Sequence, residues 1–147
     1  MKRYKRKPKN KKVRNATSKT YKGIKFRSKL ELFTYKKLEE ANIKSQYEEN
    51  RYVLQKGFHY TADCYEPHKT KGYTNNTYKV RDITYTPDFV DPNGKWIIEV
   101  KGFANDVFPL KWKMFKKHLM QLENPPVLYL PKNQGQVLQT IELIKQL

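Results

Sequence analysis

The chain predicts a mixed β-sheet flanked by helices, an α/β (α+β) domain, and three observations carry that expectation. Apolar residues recur at helical spacing in three separate stretches, starting near Ser28, Phe108 and Asn133. Between the first two, β-type runs flank Asp91-Pro92-Asn93-Gly94, and Asn-Gly between such runs signals a hairpin because both residues tolerate positive φ. A short apolar run, Val127–Leu130, separates the last two helices.

In chain order, Met1 to about Tyr21 reads as a disordered basic arm too poor in apolar residues to pack. The expected organisation is an arm over residues 1–22 and one domain over 23–147. Ser28-Lys29-Leu30-Glu31 matches a capping box, so a helix starts at Ser28, buries Leu30, Phe33, Leu38 and Ala41, and fades near Asn42. Tyr47–Gln55 reads as a strand. His59–Lys79 has no clean period, and both strand-loop-strand and a long loop stay open there. Val80–Val90 and Lys95–Lys101 are the two strands of the hairpin. A helix from Phe108 to Leu122, with Pro109 in its first turn, buries Phe108, Trp112, Phe115, Leu119 and Leu122. Pro125-Pro126 ends that element, Val127–Leu130 reads as a short buried strand, and Asn133 caps a last helix through Val137, Ile141 and Ile144.

Composition narrows the function classes. The chain has 147 residues, enough for one domain with a modest core. No run approaches the roughly 18–20 apolar residues of a membrane span, and the N-terminus lacks an apolar secretory core. Cys64 is the sole cysteine, so no internal disulfide forms, and a cytoplasmic setting is expected. Charge is the stronger signal: the formal net charge is +17, of which residues 1–30 contribute +14 and the remainder only +3. Lys2, Arg3, Lys5, Arg6, Lys7, Lys9, Lys11, Lys12 and Arg14 form a cationic arm suited to displacing counterions from nucleic-acid phosphates. A solvated tail explains them more plainly, whereas lipid binding would need apolar residues that the arm lacks. The expected partner is DNA, not a membrane or a small molecule.

The hairpin carries the candidate chemistry. Ile97, Glu99 and Lys101 share one face of the second strand, and Thr84, Thr86 and Asp88 share one face of the first, with Ile83, Tyr85 and Phe89 on the other. A two-residue turn sets Asp88 opposite Glu99, and a four-residue loop sets it opposite Ile97. In both registers Asp88, Glu99 and Lys101 project from one side. Opposed carboxylates repel, and a Mg²⁺ ion, which takes one or two carboxylates plus waters and phosphate, rewards that placement. Lys101 then stands where its ammonium stabilises a phosphorane or helps activate water. A solvent-facing Asp/Glu/Lys trio is the plain alternative. Against it, Trp96-Ile97-Ile98-Glu99-Val100-Lys101 is apolar around its charges, as in a buried strand that meets a cleft.

Pro87-Asp88 followed by Glu99-Val100-Lys101 and Gly102 resembles the PD-(D/E)XK nuclease motif. The helix bearing Glu31 resembles the first helix of that superfamily. Ile83-Thr84-Tyr85-Thr86-Pro87-Asp88-Phe89 and Val107-Phe108-Pro109-Leu110-Lys111 look like small phage-encoded endonucleases, similar to Holliday junction resolvases. The resemblance covers about residues 23–130. It implies a restriction-endonuclease-like core. It also implies metal binding by Asp88, Glu99, the Val100 carbonyl and Glu31, with Lys101 as catalytic lysine. The implied activity is Mg²⁺-dependent DNA cleavage, with Mn²⁺ as a substitute, on branched or junction DNA in phage recombination, by a homodimer. A non-catalytic basic DNA-binding protein and a same-fold nuclease on ordinary duplex are the alternatives. The capping box by itself also accounts for Glu31. Lys111 and Lys113 either contact phosphate beside the cleft or form a solvated helix face. His59, Cys64 and His68 fit no zinc spacing, and Asp91 and Asp106 read as turn and cap residues.

Overall fold

The structure, a computed structural model, describes residues 17–76, 78–102 and 105–147. The cationic residues from Lys2 to Arg14 lie outside the described residues. In chain order the elements are β1 (Lys19–Tyr21), β2 (Ile24–Phe26), α1 (Lys29–Glu40), β3 (Gln46–Tyr47), β4 (Tyr52–Gln55), β5 (Tyr65–His68) and β6 (Gly72–Asn75), followed by β7 (Ile83–Tyr85), β8 (Phe89–Val90), β9 (Trp96–Ile98), α2 (Phe108–Leu119), β10 (Val127–Tyr129) and α3 (Gln134–Ile144). The class is mixed α and β. The largest sheet has the order β10-β9-β8-β3, with β10 parallel to β9 and the other pairs antiparallel.

That sheet is covered on both faces, which is why its strands are apolar throughout. Phe89, Trp96, Ile98 and Val100 point to one side and join Phe26, Leu38, Ile141 and Ile144, so α1 and α3 cover this face. Val90 and Ile97 point the other way and join Tyr85, Phe108, Trp112, Phe115 and Leu119, so α2 covers that face.

Helix signals in the sequence match the structure closely. Ser28 caps α1, its Oγ accepting from the Glu31 N–H at 3.1 Å and donating to Glu31 Oε1 at 2.9 Å. Asn133 caps α3, accepting from the Gln136 N–H at 2.9 Å. In α1 the buried stripe is rotated from the expected one: Glu31, Thr34 and Leu38 are buried, while Phe33 stays half-exposed beneath Lys37. Helix α2 ends at Leu119, so Leu122 falls past its last turn and is exposed rather than buried. Val127, expected in a buried strand, is exposed at the start of β10.

The β-segments differ more. Lys19–Tyr21, within the expected arm, forms a hairpin with β2 across Lys22-Gly23, two residues at positive φ as a tight hairpin turn requires. Tyr47–Gln55 is two strands in different sheets, broken where Glu48 takes positive φ. Val80–Val90 is likewise not one strand. Pro87 interrupts it, leaving β7 paired with β4 and β8 paired with β9. Tyr85 and Phe89 therefore face opposite cores instead of sharing a face. Residues 59–79 hold a hairpin, β5–β6, which resolves the stretch the sequence left open. No described helix is long and apolar enough to cross a membrane.

Candidate active site

The turn between β8 and β9 decides what Asp88 meets. Phe89 pairs with Ile98 and Val90 with Ile97, so the next pair outward is Asp88 with Glu99, the register of the two-residue turn. Asp91 holds the turn, its carbonyl accepting from Gly94 and its Oδ2 from the Lys95 N–H, both at 2.9 Å. Gly94 sits at φ 73°, a conformation other residues adopt only with strain.

The backbone pattern also orients Val100. Glu99 and Lys101 donate their N–H groups to the carbonyls of Tyr129 and Pro131 on the β10 side, at 2.9 and 3.1 Å. Peptide groups alternate along an extended strand, so the N–H and carbonyl of Val100 turn toward β8. There the Asp88 side chain takes the N–H, Oδ2 accepting at 2.7 Å. The ladder position opposite Val100 is Pro87, which has no N–H to offer its carbonyl. Proline before the aspartate thus keeps the Val100 carbonyl available beside two carboxylates.

Asp88 is 1% exposed and Glu99 2% exposed. Burial, then the neighbouring carboxylates Glu99 and Glu31, push the Asp88 carboxyl up to about 8. Cations answer both acids: Arg27 donates to Asp88 Oδ1 at 3.1 Å and also pairs with Glu48, and Lys101 Nζ lies 2.8 Å from Glu99 Oε1. Lys101 is further held over the Phe108 ring, 4.9 Å from its centroid, by the first residue of α2. Glu99 Oε2 and the Tyr85 hydroxyl are buried and neither completes a hydrogen bond, although burial, and then the nearby Glu99, hold the Tyr85 phenol above its ordinary range. An unpaired carboxylate oxygen in a dry site is costly, and either a bound cation or a turn of the neighbouring Tyr85 hydroxyl onto Glu99 would satisfy it.

The structure brings Asp88, Glu99, Lys101 and Val100 together. Glu31 is close enough to act on Asp88 electrostatically, but its carboxylate is spent locally. Its Oε1 accepts from Ser28, and its Oε2 accepts from the Arg27 N–H at 2.9 Å and the Tyr47 hydroxyl at 2.6 Å. That bond and burial hold the Tyr47 phenol well above its ordinary range, burial being the larger cause. Among the described residues no three His, Cys, Asp or Glu side chains are gathered to hold one metal ion, and both oxygens of Glu31 already accept hydrogen bonds. Two carboxylates and the Val100 carbonyl remain, a hard oxygen donor set of the kind Mg²⁺ accepts.

Of the helix lysines, Lys111 donates to the Thr84 carbonyl at 3.1 Å, beside Tyr85, and Lys113 is exposed on α2. His59, Cys64 and His68 do not converge: Cys64 Sγ lies against Glu66, and His68 Nδ1 accepts from the backbone of Thr70 and Lys71. Sequence reasoning missed Arg27 and Tyr85. Arg27 adjoins the capping box, and Tyr85 lies three residues before Asp88, but only the break at Pro87 reveals that Tyr85 faces Glu99's side of the sheet.

A family described as Protein of unknown function (DUF1064) matches residues 9–135. No curated protein and no solved structure matches the chain.

Proposed function

We propose that this chain, which belongs to the DUF1064 family, is a metal-dependent endonuclease that hydrolyses DNA phosphodiester bonds. The observation that carries the reading is the opposed, buried pair Asp88 and Glu99, with one carboxylate oxygen unpartnered and Lys101 alongside. The run of α1, the β8–β9 hairpin, α2 and parallel β10 supports a restriction-endonuclease-like core of the PD-(D/E)XK type.

Asp88, Glu99 and the Val100 carbonyl would hold a Mg²⁺ ion, with Mn²⁺ able to replace it. When bound, that ion supplies Lewis-acid polarisation of the phosphate and a water of lowered pKa. Lys101, fixed between Glu99 and Phe108, presents its ammonium to the charge that builds on the phosphoryl oxygens. Arg27, which pairs with Asp88 and is itself largely exposed, would offer a second positive group to a DNA phosphate. The cationic residues from Lys2 to Arg14, with Lys111 and Lys113, would retain the polymer.

The favoured substrate is branched or junction DNA of phage recombination, cut by a homodimer because symmetric cleavage of two strands needs two centres. One observation favours a second reading, a basic DNA-binding protein without catalysis: Arg27 and Lys101 already balance the two acids without a cation. Cleavage assays on linear, nicked, flap and four-way DNA, with divalent metal chelated and then restored, decide between them. The nuclease reading expects metal-dependent cleavage that falls about a hundredfold or more in Asp88→Asn and in Lys101→Ala. Cleavage that survives both substitutions removes this site from the reaction.

A further inference from the structure

The β5–β6 hairpin is an excursion from the β4–β7 ladder. That ladder carries Tyr85 at its inner end, on the side of the sheet that bears Glu99, and is closed at its outer end by the Phe58–Val80 bridge. Beyond that bridge the hairpin has no apolar interior to serve, yet it is rich in aromatic residues. Tyr65 is 56% exposed, Tyr73 75% and Tyr78 62%. Pairing sets Tyr65 opposite Asn75 and Pro67 opposite Tyr73, so Tyr65, Pro67 and Tyr73 share one face. The rings of Tyr65 and Tyr73 lie 5.9 Å apart. On the opposite face His68 stacks with Tyr78, centroids 6.3 Å apart and planes at 26°. The hairpin therefore bears flat rings on both sides, turned to solvent.

Charge on the hairpin is sorted. Its acids are tied up by amides at the base, where Asn75 Nδ2 donates to Asp63 at 2.7 Å and Asn76 Nδ2 donates to Glu66. At the tip, between the two strands, Lys69 and Lys71 are exposed, and Lys56, Lys79 and Arg81 are exposed near the root. Exposed rings beside solvent-facing cations match the demands of unpaired nucleotides, whose base faces stack on aromatics while their phosphates meet lysine and arginine. A closed duplex offers the phosphates but keeps its base faces stacked on one another.

We infer that the β5–β6 hairpin is a docking surface for single-stranded DNA, gripping unpaired nucleotides beyond the outer end of the β4–β7 ladder. The inference rests on the nuclease reading only for the choice of DNA as polymer, and it deepens that reading by specifying a substrate with an unpaired segment. Full-length protein is titrated in chelator with fluorescent oligo(dT) and, separately, with closed duplex. The same comparison is made for Tyr65→Ser with Tyr73→Ser, and for Lys69→Ala with Lys71→Ala. Both pairs lie on exposed positions and leave the core intact, which circular dichroism verifies. The tyrosine pair is expected to weaken oligo(dT) binding about tenfold or more while duplex affinity stays within about twofold. The lysine pair is expected to weaken oligo(dT) binding and to lower its salt dependence. Unchanged oligo(dT) affinity in the tyrosine pair overturns the inference, as does an equal loss on duplex. Metal-dependent cleavage is absent from every DNA only if the nuclease reading fails, so the two failures are told apart.

Discussion

At the scale of single residues, the buried acid pair sets the protein's response to pH. Burial, Glu99 and Glu31 hold the Asp88 carboxyl up to about 8, far above its ordinary value. Between that ordinary value and about 8 the native chain keeps a proton that the unfolded chain releases, so the native state binds more protons there. Stability must then fall as pH rises through this window. Without divalent metal, thermal melts from pH 5 to 9 are expected to show wild type losing several degrees relative to Asp88→Asn as pH increases. Added Mg²⁺ is expected to reverse the loss, with affinity that strengthens up to about tenfold per pH unit below about 8, since the cation displaces that proton. Parallel pH curves for wild type and Asp88→Asn would contradict the assignment of the shift to Asp88. The capping box reads directly from Ser28 and Glu31, but the burial of Glu31 does not. Tyr47 reaches it from a strand sixteen positions away, and no local spacing reports that bond.

Among the elements, the hairpin was legible, while its register and the strand limits were not. Asn93-Gly94 marked the turn but left two alignments open, and the pairing of Phe89 with Ile98 chose between them, with Gly94 but not Asn93 at positive φ. Strands β3, β7 and β8 are only two or three residues long, too short for alternation to mark their ends. Pro87 was visible as part of a motif, yet its structural effect is to divide one apparent strand between two sheets. The β1–β2 hairpin was hidden by basic composition, although Lys22-Gly23 between Tyr21 and Ile24 is a turn signal in the same sense as Asn-Gly. At the root of the β5–β6 excursion, Gly57 donates to Asp82 Oδ1 at 2.7 Å, and a Cβ placed on it would come within 2.4 Å of the Val80 carbonyl oxygen. Backbone must shift to accept that atom. Gly57→Ala is expected to destabilise the fold by about 1–3 kcal/mol and to loosen the β4–β7 ladder. Denaturant melts measure the first effect, and amide exchange at Phe58 and Val80 measures the second. An unchanged melt would mean that the bridge gives way freely.

For the molecule as a whole, two apolar cores back to back and one cationic stretch of sequence divide the labour. The three helices were readable because their apolar spacing extends over ten or more residues, long enough for periodicity to outweigh noise. Nine Lys and Arg residues lie between Lys2 and Arg14, ahead of the described fold. Replacing them with Gln in the full chain is expected to weaken duplex binding strongly at low salt and to flatten its salt dependence. The slope of log affinity on log salt should drop by at most about eight, one counterion per charge. The melting temperature is expected to stay close to wild type, since this stretch is too poor in apolar residues to pack. A salt slope that does not move would transfer the electrostatic role to the folded body.

The strands that present Asp88 and Glu99 to one side bury Phe89 and Ile98, both wholly inaccessible, on the other. The two acids are thereby seated directly on the interior, their own strands forming part of the packing behind them. Under the nuclease proposal, heating is expected to abolish hydrolysis and tertiary order along a single curve, with no cooler range in which a folded protein has gone silent. Under the same proposal, control over such a centre would come from outside, by which DNA is delivered to it.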